Sequence, residues 1–445
     1  MLLPRPASPA QVRPLPDGPL HFVGIGGAGQ SAIAYVLAAR GRLVRGSDLG
    51  ISAARKARLE SVGCEIFSAH TAENLAPDTA AVIATDAVNE QNPEVAEALR
   101  RGLPVFRRPE ALASLINSAK TAICVAGTHG KTTTTGMITS ILLAAGLNPT
   151  VLIGGDLPQI GGNARNGDPD LVIAEACEAY GGLDCLRPTI AVITNCEPDH
   201  LDFHGTAENF YQAFARFVAN AERVVLCGDD RGALRLRPAC HGSPVEVFVG
   251  ERAPLGLQLP GRHNACNAAV ASAAARELGL SLAALEQGLT NFTGTGRRFE
   301  RLGEVNGITI IDDYAHHPTE IRATLQAARQ AFPNRRLIAV YQPHLPSRTR
   351  DFLEGFADAL SQADVLYLTD IYLAREPEQP GLIERLAEKA AAHLVKDRHA
   401  LPSRLHPELR PGDVVLFMGA GNIREQADEL LKQLPSRSDF VAEGP

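Results

Sequence analysis

Val125-Ala126-Gly127-Thr128-His129-Gly130-Lys131-Thr132-Thr133-Thr134-Thr135 is the stretch that decides how the rest of the chain is read. An apolar run from Thr121 to Ala126 leads into it, and a helix-forming run from Met137 to Ala145 leads out. A strand, a glycine-rich turn, a lysine and hydroxyls in that order make a cradle for a polyphosphate. Glycines let backbone N–H groups approach phosphate oxygens, and the helix N-terminus adds positive potential. Lys131 brings a mobile charge, and Thr132 offers a hydroxyl to a magnesium ion. The common spacing is G-x-x-x-x-G-K-[ST]; here Val125 stands at the first glycine position, so the loop is a variant, G-x-x-G-K-T-T-T.

A second glycine turn lies upstream. Gly24, Gly26 and Gly29, with Gly27 between them, satisfy G-x-G-x-x-G directly after the apolar run His21-Phe22-Val23 and before a helical run from Ser31 to Ala39. Asp48 follows 19 residues beyond Gly29, at the end of the next strand-like run. This is the dinucleotide pattern, including an acid placed for a ribose. The glycines recognise a pyrophosphate in general, so a dehydrogenase using NAD remains open at this point.

The chain of 445 residues has length for about three domains. Hydrophobic content of 45%, charge of 21% and a formal net charge of −7 describe a globular protein without the basic surface that nucleic acid requires. No 18-residue apolar segment is present, which argues against a membrane span. The first 18 residues, rich in proline, read as a disordered leader rather than a signal peptide. Eight cysteines are scattered without a C-x-x-C pair, which fits free thiols in a cytoplasmic protein.

Downstream, polar groups collect where apolar runs end. Leu171 to Ala174 runs into Glu175, and Ile190 to Thr194 runs into Asn195-Cys196-Glu197-Pro198-Asp199-His200. In a parallel sheet these ends share the edge of the phosphate loop, where ligands bind. Glu175 is thus placed to ligate the magnesium held by Thr132, with His200 a weaker candidate because imidazole suits magnesium poorly. Asn264 and Asn267 fall three apart ahead of an alanine-rich helix and can read a flat base edge, although Asn264 equally suits a helix cap. Ile308 to Ile311 ends in Asp312-Asp313-Tyr314-Ala315-His316-His317-Pro318, and Arg336 to Tyr341 ends in Gln342-Pro343-His344. Packing alone does not explain acids, a phenol and histidines gathered at strand ends.

In order and spacing, these motifs, with Gly261-Arg262-His263-Asn264 and Arg297-Arg298-Phe299, resemble the Mur ligase family over nearly the whole chain, and its alanine-adding branch most. The resemblance implies an α/β protein of three domains. Residues 19–117 would form a Rossmann-like domain for the UDP-sugar, 118–292 a central P-loop ATPase-like domain with a mixed or parallel sheet, and 293–445 a Rossmann-like domain bringing the amino acid. It implies ATP-dependent joining of L-alanine to the lactyl carboxylate of UDP-N-acetylmuramate, with magnesium, or else manganese, and a monomer or homodimer. Carried over, Gly24, Gly26, Gly27, Gly29 and Asp48 would face the UDP-sugar, with Arg348 on its muramoyl carboxylate. Gly127, Thr128, His129, Gly130, Lys131, Thr132 and Thr133 would hold ATP, with His263 and Asn267 by the adenine and Arg298 and Asp313 by the phosphates. Thr132, Glu175 and His200 would hold the metal; Tyr314, His316 and His344 would face the amino acid. Lys131, Arg298, His316 and His344 would carry the catalysis, either histidine serving as base.

Two departures stand out. Leu345 sits where many relatives carry arginine, and Glu175-Ala176-Cys177-Glu178-Ala179-Tyr180 replaces a more acidic motif, which puts acids other than Glu175 in doubt as ligands. No lysine occurs between Lys131 and Lys389, so any mechanism needing a second lysine from the central domain is excluded. A ligase attaching a whole peptide to the same sugar nucleotide, as in wall recycling, remains the rival within the family.

Overall fold

Short runs of Val, Ile, Leu and Ala, closed by glycine or by polar caps, build three parallel-dominated sheets in the computed structural model, which describes residues 6, 8–250, 256–374 and 376–434. Strands β1 Leu20–Val23, β2 Val44–Ser47, β3 Glu65–Phe67, β4 Ala81–Ala84 and β5 Val105–Arg107 form the first, wholly parallel, in the order β3-β2-β1-β4-β5. Strands β6 Thr121–Ala126, β7 Pro149–Leu157, β8 Gly162–Arg165, β9 Asp168–Glu175, β10 Ile190–Ile193, β11 Arg223–Cys227 and β12 Val245–Val247 form the second, ordered β12-β11-β10-β6-β9-β7-β8. Only the β7–β8 hairpin is antiparallel there. The third sheet takes β13 Glu300–Val305, β14 Ile308–Asp313, β15 Leu337–Tyr341, β16 Val365–Leu368, β17 His393–Leu394 and β18 Val414–Met418, ordered β13-β14-β18-β15-β16-β17 with β13 antiparallel.

By contacts, the chain divides into one unit of Met1–Gln258 and Asn264–Thr293 and another of Leu259–His263 and Gly294–Pro445. Within the first unit one apolar core runs continuously from Phe22, Ile33 and Phe106 to Cys124, Phe210 and Phe214. The first two sheets therefore fall into one contact unit, although their strand orders are separate. In the second unit, apolar layers cover both faces of the third sheet, Leu325 and Phe356 on one side, Phe417 and Leu430 on the other.

The structure departs from the sequence reading at several ends. The helix after the phosphate loop is Lys131–Ala144, beginning six residues before the expected Met137, because the left-handed Gly130 turns the strand straight into it. Strand β14 runs through both Asp312 and Asp313 instead of ending at Ile311. The helix Arg262–Arg276 starts early enough to place Asn264 inside it, so Asn264 is not its cap. Residues 8–18, expected to be a disordered leader, are anchored: Val12 and Leu15 pack on the core, and the Arg13 guanidinium donates to Val105 O at 2.8 Å and lies over the Phe106 ring. Residues 1–5 and 7 of that leader lie outside the described residues. Among the described residues, no helix is long and apolar enough to cross a membrane.

Arg58 ties the first sheet's helices to the β7–β8 hairpin of the second. Its guanidinium donates to Ile160 O, Gly161 O and Ala164 O and stacks on Tyr35 at 4.6 Å. Three carbonyls lose a charged donor when it is removed. Arg58→Ala is expected to lower stability by about 2 kcal/mol, read from the denaturant midpoint; an unchanged midpoint would show that water replaces the guanidinium at no cost.

Candidate active site

Strand β6 delivers Gly127 with φ 148° and the chain leaves through Gly130 with φ 80°. Neither position admits a side chain. A Cβ on Gly127 would sit 2.0 Å from Thr194 Oγ1, and one on Gly130 2.4 Å from Asn267 Oδ1. The end of β10 shapes the loop from below: Thr194 Oγ1 donates to His129 O at 2.6 Å, and Asn195 both accepts from His129 N and donates to His129 O. Thr128 Oγ1 donates to Glu197 O at 2.6 Å, so this hydroxyl braces the loop. Thr132 and Thr133 are buried in the helix's first turn.

Lys131 folds back over the loop. Its Nζ donates to Gly127 O at 2.5 Å and Thr128 O at 3.0 Å and pairs with the Glu178 carboxylate at 2.8 Å. Burial is the largest single effect and works against the ammonium, but the charge and hydrogen bond of Glu178 together with Cys177 and Glu175 outweigh it, and the Lys131 pKa ends above the ordinary lysine value. Glu175, at the end of β9, accepts from Gly154 N at 2.6 Å, which fixes its carboxylate against the hairpin strand β7. His200 holds a left-handed φ of 51°, with Nε2 3.8 Å from both Glu178 Oε1 and Asp199 Oδ2. Thr132, Glu175 and His200 thus lie on the loop's edge of the sheet as the sequence implies. The discounted Glu178 is the acid most deeply placed among them, at 2% side-chain exposure.

The upstream turn is equally tight. A Cβ on Gly24 would sit 2.8 Å from Thr85 Cγ2, and one on Gly26 2.8 Å from the Asp48 carboxylate. Asp48 is engaged by the turn itself. Its two oxygens accept from Gly26 N and Gly50 N, each at 2.9 Å, so the acid props the glycine turn. Gly27 caps the helix Ala28–Ala39, and Gly29 lies in its first turn under the Arg108 side chain. The Arg55 guanidinium donates to Gly26 O at 2.9 Å. Arg55 and Arg108 carried no motif and went unread in the sequence. Asn163 also escaped notice; its amide, buried, donates to Ala28 O and Ser31 Oγ and so anchors that helix's first turn to β8.

In the second unit, Asp313 accepts from Phe299 N, Ala315 N and Thr324 Oγ1 at 2.7, 2.8 and 3.2 Å. Burial raises its pKa to about 6, with Arg298 opposing. Arg298 lies 5.1 Å over the Tyr314 ring and 3.7 Å from Glu320. Tyr314, His316, His344 and Tyr372 follow one another as neighbouring rings, with centroid separations of 5.4, 6.1 and 5.5 Å. His316 Nδ1 faces two oxygens, Tyr314 O at 2.9 Å and Glu320 Oε2 at 3.2 Å, so Nδ1 carries the proton and Nε2 keeps a lone pair. Burial lowers the His316 pKa to about 4; Glu320 opposes the shift, while Arg348 and Arg298 reinforce it. Arg348 is itself buried in the short helix Pro346–Asp351, whose cap Leu345 holds a left-handed φ of 69°. Burial also lowers His263 to about 4, with Arg298 adding to it. His263 belongs to this unit, whereas Asn267, further along the same helix, lies against Gly130 in the first. Within this unit, Arg297 and Phe299, on either side of Arg298, also hold left-handed backbone.

Glycine turns at strand ends and a lysine–carboxylate pair mark the first unit as an α/β nucleotide-binding protein, and the second unit carries its own histidine-rich strand end. Three domain profiles match: the Mur ligase family catalytic domain over residues 19–120, the Mur ligase middle domain over 125–249, and the Mur ligase glutamate ligase domain over 297–421. The chain belongs to the Mur ligase family. Curated relatives named UDP-N-acetylmuramate–L-alanine ligase are 43% identical in Geobacter sulfurreducens, covering 93% of this chain and 97% of that one, and 42% identical in Saccharopolyspora erythraea, covering 95% of each. The crystal structure of the enzyme of that name from Thermotoga maritima superposes with a TM-score of 0.81 at 29% identity over 94% of this chain and 99% of the other. A murein peptide ligase from Psychrobacter arcticus shares the fold, with a TM-score of 0.71 at 24% identity over 96% and 100%.

Removing Glu178 leaves an ammonium at 17% side-chain exposure without its carboxylate. Glu178→Ala is expected to cost about 3 kcal/mol of stability in chemical denaturation, and Lys131→Met in the same background is expected to recover part of it. His316 offers a second check. Its folded pKa lies below the free value, so its neutral form stabilises the fold fully above pH 6.5, and this contribution is lost as pH falls through about 4. NMR of the labelled imidazole is expected to report a neutral ring from pH 8 down to about 5; a midpoint near 6.5 would contradict the burial argument.

Proposed function

We propose that this chain joins L-alanine to the lactyl carboxylate of UDP-N-acetylmuramate at the expense of ATP, giving ADP, phosphate and UDP-N-acetylmuramoyl-L-alanine. The observation that carries the reading is 43% identity, over 97% of its length, to a ligase named for that reaction, a span containing both glycine turns and the histidine clusters. The residues supply the chemistry. A carboxylate is a poor electrophile and hydroxide a poor leaving group, so the carboxylate oxygen first takes the γ-phosphoryl group of ATP as the bond to the β-phosphate oxygen breaks. The loop from Gly127 to Thr133 cradles the phosphates, with Lys131 exchanging its carbonyl partners for phosphate oxygens. The family resemblance assigns Arg298 and Asp313 to ATP phosphates, and His263 and Asn267 to the adenine.

The amine of alanine then attacks the acyl phosphate through a tetrahedral intermediate, expelling phosphate. Attack needs a neutral amine. The lone pair on His316 Nε2, held by the Nδ1–H bond to Tyr314 O, is suited to take its proton, with His344 as the neighbouring alternative. Tyr314 and the two histidines line the amino-acid position, and Arg348 offers a fixed positive charge to the muramoyl carboxylate. Gly24, Gly26, Gly27 and Gly29 take the UDP pyrophosphate, and Asp48, which also supports the turn through Gly26 N, faces the UDP-sugar. An NAD-dependent dehydrogenase would leave the Lys131 loop without a role.

Magnesium suits the donor set, which is rich in oxygen: the Thr132 hydroxyl and the Glu175 and Glu178 carboxylates, with His200 beside them. A magnesium ion held by these residues would supply positive charge to the phosphates during transfer. Manganese suits the same donors, the nitrogen of His200 included.

Phosphate release measured with ATP, UDP-N-acetylmuramate and single amino acids is expected to depend on alanine. Turnover with a tripeptide in place of alanine would instead favour a recycling ligase. Lys131→Ala is expected to lower turnover at least about 1000-fold while UDP-N-acetylmuramate binding, read by calorimetry, stays intact; joint loss of both would contradict separate sites.

A further inference from the structure

Outside the residues assigned above, one cluster of soft and hard donors converges at the end of β11. Cys227 closes that strand, Asp229 follows two residues later, and Cys266 comes in from the helix Arg262–Arg276. One donor atom from each lies within 4.8 Å of the other two. Cys227 is buried, Cys266 half-buried and Asp229 exposed, so the cluster opens to solvent on its carboxylate side. The strand end is held in place. Asp229 Oδ2 accepts from Val249 N at 2.6 Å, and the Phe248 ring lies so close over Gly228 that a Cβ there would meet it at 2.6 Å. The adjacent Asp230 is occupied by Cys196 N and Ala233 N, so the two acids have different tasks.

We propose that Cys227, Asp229 and Cys266 form a binding site for a thiophilic divalent cation of the zinc class. Two sulfurs and a carboxylate at this spacing match three corners of a tetrahedron around such an ion, leaving the fourth to water. Sulfur donors select against magnesium, so the site is chemically distinct from the oxygen-rich one at Lys131. A simple cysteine pair poised for a disulfide would have no use for Asp229 as a third convergent donor. A metal of this class takes both cysteines as thiolates. Binding displaces the thiol protons to solvent and involves no change of oxidation state.

The position gives the site a consequence. Cys266 immediately precedes Asn267, whose amide fills the space against Gly130. A cation bridging Cys266 to Cys227 would fasten the start of this helix to β11, and so fix the backing of the phosphate loop.

The experiment uses the full chain, reduced and stripped of metal, titrated with zinc in competition with a chelating dye and separately with cadmium. Expected are one ion per chain, a cadmium–thiolate charge-transfer band, and release of about two protons per ion. Cys266→Ser is expected to weaken zinc binding at least about tenfold, while Cys240→Ser, which is not one of the three convergent donors, leaves it unchanged. Protection of Cys266 from alkylation by stoichiometric zinc supplies a readout in the wild-type chain, should the variant fold poorly. Undiminished binding in Cys266→Ser would overturn the assignment. So would absence of stoichiometric binding, or a Cys227–Cys266 disulfide formed under mild peroxide in a chain that takes up no zinc when reduced. None of these readouts depends on ligase turnover.

Discussion

A lysine ammonium buried at the mouth of a sheet needs a partner, and much of the first unit is arranged around giving Lys131 one. Glu178 supplies the charge, and the carbonyls of Gly127 and Thr128 supply the remaining acceptors. The loop that presents those carbonyls turns through left-handed backbone at Gly127 and Gly130, and no residue but glycine fits there because Thr194 and Asn267 crowd both positions. The loop shape thus depends on β10 and on the helix Arg262–Arg276 as much as on its own sequence. The same contacts explain why Val125 can replace the usual first glycine. It is a fully buried strand residue, paired with Glu175 and Val192 on either side, and the turn begins after it.

The β7–β8 hairpin turns a local cradle into a connected one. On β7, Gly154 N holds the Glu175 carboxylate, while on the facing strand β8 Asn163 holds the helix that follows the upstream glycine turn. Arg58 completes the link from the first sheet. A shift of the hairpin by one residue would therefore disturb the carboxylate and the upstream helix together. Sheet register here sets distances between groups far apart in sequence.

The strand-turn-helix units were legible because their signals are local: an apolar run, a glycine that must be left-handed, a periodic run after it. Strands β6 and β18 fall where the apolar runs place them. The hairpin was not legible, since Gly154, Gly161 and Gly162 interrupt its pattern and its antiparallel pairing depends on contacts with the first sheet. The leader misled for a related reason: proline content signals disorder, yet Val12, Arg13 and Leu15 find partners nearly a hundred residues away. Within the site, residue types at strand ends pointed to the right edge of each sheet. They could not rank Glu178 above Glu175, because that ranking comes from burial beside Lys131. Nor could they reveal that Asp48 is engaged by backbone amides.

The second unit shows the same burial acting on opposite charge types. Asp313 is pushed up to about 6 and His316 down to about 4, and in both cases burial is the largest cause. A carboxyl raised in this way favours its protonated form on folding; that contribution is complete below the free value and fades as pH rises through about 6. His316 contributes in the reverse direction, so the two offset one another in the stability of the unit between about pH 4 and 6 while leaving the site poor in mobile charge. Fixed charge comes from Arg298 and Arg348, which cannot release their protons. Around the His316 ring, burial and the charges of Arg348 and Arg298 all work against an imidazolium, and only Glu320 and the Tyr314 carbonyl oppose them.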